Sequence, residues 1–187
     1  MDNTASQSKE CSFDEKLETR NFMREEVFTM TLMAVTQHGR IYAPQPTQRE
    51  RDEFRSALHK YLDGMAKVYS MPVAEEAHVH YIVSLKEQLS ASCKRLHDER
   101  GFRIGSAQKA LNLFLKYLWC LGEIPEPPHC PFDRRIIEGL ELPVGVCQNW
   151  ADCDHVEHYE RWVAAAREEA KKESLSLAQW ELCTYNK

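Results

Sequence analysis

The sequence predicts an all-α fold: a compact, single-domain array of six or seven helices around one buried helix. Three observations carry that expectation. Apolar residues recur at helical spacing in one stretch after another. No stretch alternates apolar and polar residues as a half-buried strand would. The seven glycines and eight prolines fall mostly between the periodic stretches rather than inside them.

Composition bounds the rest. A chain of 187 residues, 43% hydrophobic and 28% charged, belongs among globular proteins and can bury a core without cross-links. No apolar run is long enough to span a bilayer, and the opening MDNTASQSKECSFDEK is polar and acidic, unlike a signal peptide. The seven cysteines are odd in number and lack a framework spacing. That usage predicts free thiols, a soluble protein, a cytoplasmic location and no membrane partner.

Along the chain, residues 1–12 read as a disordered arm and 13–187 as one helical domain. A first helix is expected from Asp14 to Gln37. Thr47 with Glu50 forms a capping box for a second, whose stripe is Phe54, Leu58, Tyr61, Leu62, Met65 and Val68. A third is expected over Val73 to Arg100, with Val79, Ile82, Leu85, Leu89 and Leu96 on its buried side. Ser106 is the expected cap of the central helix, which ends at Gly122 before the proline-rich EIPEPPHCP. A short helix from Arg134, a long one capped by Asp152 or Asp154, and a final one in SLSLAQWEL complete the set. Trp150, Trp162 and Trp180 are expected to lock the last helices onto the core.

The central helix is apolar nearly all round, yet Lys109, Asn112 and Lys116 interrupt it at i, i+3 and i+7. That spacing predicts one narrow polar stripe. A buried, unpaired lysine costs several kcal/mol, so these amines are expected to reach water or face a cleft with acidic partners. Lys109 is expected at the mouth of a cleft and Lys116 beside a surface carboxylate. Leu113, Phe114, Leu118 and Ile136 are expected in the core.

Net charge is −5, but Lys94, Arg95, Arg100, Arg103, Lys109, Lys116, Arg134 and Arg135 crowd the middle of the chain. Arg100, Arg103, Gly105, Ser106, Lys109, Asn112, Lys116 and Arg134 form the predicted binding set. Cations gathered at a helix start, where backbone amides already favour an anion, point to an anionic macromolecular partner, protein or nucleic acid. On this reading the chain is a binding protein with no reaction of its own.

A second reading starts from Ile104-Gly105, Lys109-Ala110-x-Asn112 and Pro131-Phe132-Asp133 with Ile136. Over Gly101 to Leu140 this order resembles the helix-hairpin-helix DNA glycosylase superfamily. The resemblance implies that Asp133 is the catalytic carboxylate and Lys109 the sugar-attacking lysine. It also implies that amides near Ile104 and Gly105 bind a DNA phosphate and that the target base leaves the duplex. Cys147, Cys153, His155 and His158, near His129 and Cys130, are the zinc-type ligands in the chain. Their Cys-x5-Cys-x-His-x2-His spacing matches no standard site, so no metal or other cofactor is predicted.

Overall fold

The computed structural model describes residues 14–37, 41–93 and 101–186. The helices are α1 (Glu15–Thr36), α2 (Gln48–Val68), α3 (Glu75–Ser92), α4 (Ile104–Cys120), α5 (Arg134–Glu138), α6 (Val156–Lys172) and α7 (Leu177–Tyr185). A 3-10 turn, Trp150–Asp152, precedes α6, and there is no strand among the described residues. The all-α expectation is met. The predicted arm at 1–12, and Arg100 with its neighbours Lys94 and Arg95, lie outside the described residues. No helix among the described residues is long and apolar enough to cross a membrane.

The helix ends follow local chemistry. Asp14 accepts from the amides of Lys16 and Leu17, and Thr47 and Glu50 close the expected capping box. Ser176 and Gln179 make a second box at α7. Some boundaries differ from the sequence reading. α3 starts at Glu75 rather than Val73, two residues further past Pro72, and it ends at Ser92 with Cys93 as C-cap rather than running to Arg100. α4 starts at Ile104 with Arg103 as N-cap, which puts Ser106 inside the first turn, buried. α6 starts at Val156 after His155, because Asp152 belongs to the 3-10 turn.

α4 is the central element and packs against α1, α2, α3 and α6. Ala107, Ala110, Leu111, Leu115 and Leu118 are fully buried along it. Phe114 and Ile136 join them in the core, as expected, whereas Leu113 is only half-buried and faces a cavity.

Asn112 has no exposed surface, and it is the centre of a buried polar chain. Its amide nitrogen donates to the Cys130 carbonyl at 2.8 Å and to the Tyr159 hydroxyl at 3.2 Å. Because a carbonyl only accepts, that contact fixes which end of the amide is nitrogen. Asn112 Oδ1 therefore accepts from His78 Nε2 at 2.8 Å, and the Tyr69 hydroxyl donates to His78 Nδ1 at 2.6 Å. Tyr159 in turn donates to His129 Nδ1 at 2.5 Å, and His129 Nε2 points to Glu75, 3.4 Å away. One turn back on α4, Gln108 bonds both the amide and the carbonyl of Phe132. The network joins α2, α3, α4, α6 and the proline-rich loop. Gln108 and Asn112 together hold that loop down just before Asp133.

His78 accepts at Nδ1 and donates at Nε2, whereas His129 accepts at Nδ1 and its Nε2 has no hydrogen-bond partner; burial favours the neutral form of both rings. Burial lowers His78 to a pKa of about 3, helped by the neighbouring His129, and lowers His129 to about 4 against the pull of Glu75. The unfolded chain takes these protons near pH 6.5, well before the folded one. Stability is therefore full above about pH 6.5 and falls progressively toward pH 3. Urea unfolding followed from pH 7 to pH 4 is expected to show this loss, and it should be about half as large in His78→Gln, which leaves His129 in place. Asn112→Leu should unfold or lose about 2–5 kcal/mol, because it orphans His78, Tyr159 and the Cys130 carbonyl together.

Candidate functional site

A cavity of 1370 Å³ opens between α4, α5, the 3-10 turn, α7 and the C-terminal end of α1. The α4 side chains that line it are Lys109, Leu113, Lys116, Tyr117 and Cys120. These positions share one helical stripe at i, i+4, i+7, i+8 and i+11. Asn112 lies about 60° round the helix from Lys109 at 100° per residue. This corrects the single polar stripe expected from sequence. The lysines face the cavity, and Asn112 faces the buried network.

Lys109 is 7% exposed. Its amine sits 4.2 Å from the centroid of the Trp150 ring and makes no ion pair within 4.0 Å among the described residues. Burial lowers its pKa, and the charge of Asp133 opposes that shift. Asp133 caps α5 by accepting from the Ile136 amide at 3.1 Å, and it also lines the cavity. Capping and facing the cavity are thus compatible. The carboxylate acts on Lys109 through space without closing a salt bridge.

The other charged groups of the cavity are matched. Lys116 pairs with Glu181 of α7, a carboxylate that is itself buried rather than on the surface as expected. Arg134 pairs with Glu138 at 2.6 Å. Asp152 pairs with Arg103 at 3.1 Å. Arg135 donates to the Tyr185 carbonyl and lies against the Tyr185 ring.

At the start of α4, the Arg103 side chain expected to meet an anionic partner is engaged within the chain. Arg103 is 3% exposed and is bound to the Ala151 carbonyl and the Asp152 carboxylate. The Gly105 amide donates to the Cys153 carbonyl at 2.9 Å, so it is not open to a DNA phosphate. Ser106 is 4% exposed. These contacts pin the 3-10 turn to α4, and Trp162 Nε1 adds a bond to the Cys147 carbonyl. The turn in turn places Trp150 beneath the Lys109 amine. Only glycine fits at 105, where an added Cβ would sit 1.7 Å from the Trp150 carbonyl oxygen.

Of the zinc-type residues, Cys153 is buried with its thiol pushed up to about 12 by desolvation, and Cys147 is half-buried. The His155 and His158 rings stand 6.0 Å apart. Among the described residues no three His, Cys, Asp or Glu side chains are grouped to hold a metal ion. His129 belongs to the Asn112 network, and Cys130 is fully buried beside it.

Sequence reasoning missed Trp150 as a site residue, and it missed Glu181 and Tyr185 altogether. A glutamate inside the apolar AQWEL segment mirrors a lysine inside an apolar helix, and that pairing was the available signal. No family model, curated protein or solved structure matches the chain.

Gly105→Ala is expected to push the 3-10 turn off α4. The fluorescence of Trp150 should shift to longer wavelength, and the stability loss should exceed the roughly 1 kcal/mol typical of single substitutions. Ser106→Ala, in the same turn, should leave the spectrum unchanged.

Proposed function

We propose that the cavity is a reaction site in which the Lys109 amine is the nucleophile and Asp133 the charge-stabilising carboxylate. The carrying observation is an amine buried over Trp150, with no ion-pair partner, in the same cavity as a carboxylate. A desolvated lysine with a lowered pKa holds a larger neutral fraction, and only the neutral form attacks an electrophilic carbon. Lys109 and Asp133 line the same cavity of 1370 Å³, which has the volume to admit the carbon under attack.

The order of residues from Gly101 to Leu140, which resembles the helix-hairpin-helix DNA glycosylase superfamily, narrows the reaction class. In that class the amine bonds to the sugar carbon and the carbon–nitrogen bond to the base breaks. The base leaves with the electron pair and takes up a proton. Asp133 offsets the positive charge that develops on the sugar. The occupied Gly105 amide means that phosphate contacts come from elsewhere, and Arg134 is an exposed cation of the cavity, with 82% of its side chain open to solvent.

A second reading is an anion-binding protein that uses the same cavity without reaction. The exposed Arg134 beside Lys109 favours it, and it moves the interface from the start of α4 to the cavity mouth. The two readings separate in one experiment. Duplex DNA with an abasic site is incubated with the protein and sodium borohydride. The reaction reading predicts a reduced covalent adduct at Lys109. Lys109→Gln should abolish it. Salt-sensitive binding without any adduct would leave only the anion-binding reading. An adduct that persists in Lys109→Gln would overturn the assignment of the nucleophile.

A further inference from the structure

Two turns beyond Lys109 on α4, the Lys116 amine lies 2.9 and 2.8 Å from the two carboxylate oxygens of Glu181. The Tyr185 ring covers that amine at 4.4 Å. Glu181 is only 2% exposed. It sits on α7, a helix that is also attached by the buried Leu177, Ala178 and Trp180 and by hydrogen bonds from Arg135 to the Tyr185 carbonyl and from Gln179 to Glu126. Apolar residues of similar volume commonly replace a buried ion pair with no loss of stability. The pair is thus poorly explained as a fold-stabilising device. One of its carboxylate oxygens is fully shielded from solvent, and Glu181 lines the cavity together with Lys116.

We propose that Lys116 and Glu181 are positioning residues for the Lys109 reaction: each cancels the charge of the other, so that no net field from that end of the cavity acts on the Lys109 amine. The inference rests on the reaction reading given above. Its geometry is that of a straight helix. Seven residues separate the two lysines by about 10 Å along the axis, on the same face. A lone charge at that distance in a protein interior moves a neighbour's titration by about one pH unit. Bare Lys116 would drive the proton off Lys109, and bare Glu181 would hold it on.

The other charged groups facing Lys109 do not supply this balance. Asp152 is engaged by Arg103, and Glu138 by Arg134. Arg135 is turned to Tyr185, and α1 contributes only the uncharged Ala34 and Gln37. Asp133 is left as the near carboxylate, and its charge acts both on Lys109 and on the Lys116–Glu181 pair.

The test is competitive labelling of the full chain with trace acetic anhydride across a pH series. Peptide fragmentation separates Lys109 from Lys116, and the readout is the labelling midpoint of Lys109. Lys116→Met is expected to raise the midpoint by about one pH unit, and Glu181→Gln to lower it by a similar amount. The Lys116→Met/Glu181→Gln double variant should return it to the wild-type value. Structural damage would instead accumulate in the double variant, and melting temperatures record it separately. A depressed wild-type midpoint that none of the three variants moves would overturn this inference alone. A wild-type midpoint at the ordinary lysine value would overturn both this inference and the reaction reading.

Discussion

The structure depends on one buried amide, that of Asn112. α4 is the most enclosed helix of the chain, and an apolar residue at 112 would have satisfied packing there. Asparagine instead recruits a histidine from α3, a tyrosine from α6 and a backbone carbonyl from the proline-rich loop. Each of those groups would be costly to bury alone. Together they leave few alternatives for how the loop lies on the helix, since a half-satisfied network is worse than none. Loop placement in turn decides where Asp133 starts α5, and hence that its carboxylate faces the cavity that holds Lys109.

The same helix serves two polar tasks on neighbouring faces. Gln108 and Asn112 organise the interior, while Lys109 and Lys116 line the cavity. The first turn of α4 does a third job. Arg103 and Gly105 bind the 3-10 turn, and Trp150 is carried to its place under Lys109. The cavity around the Lys109 amine is therefore assembled from three directions: an aromatic face from the turn, a carboxylate from the loop before α5, and Glu181 of α7, paired with Lys116 of α4. Apart from Lys116, none of these residues is close to Lys109 in sequence.

That separation explains what was legible in the sequence. Helix number, the α2 capping box and the identity of the central helix follow from local periodicity and cap chemistry, which act within a few residues. The lysines within an apolar helix were visible as an anomaly, and Asp133 after Pro131-Phe132 as a candidate. The partners were not visible. Glu181 lies 65 residues beyond Lys116, and nothing in a one-dimensional pattern brings them together. The helix start was misread for a related reason. Arg103 resembles a surface cation until the chain 49 residues later supplies Asp152 to bury it. Asn112 was grouped with the lysines because i, i+3 and i+7 share a face only loosely. The 60° between Asn112 and Lys109 is enough to separate a core residue from a cavity residue.

The central claim is that Lys109 and Asp133 interact across the cavity although no salt bridge joins them. A double-mutant cycle tests it most directly, with Lys109→Met, Asp133→Asn and the double variant unfolded in urea at pH 7. The account predicts a favourable coupling of at least about 0.5 kcal/mol, beyond the additivity normal for independent sites. It also predicts that the coupling persists at high salt, because the amine is buried. Strict additivity of the two substitutions would contradict it.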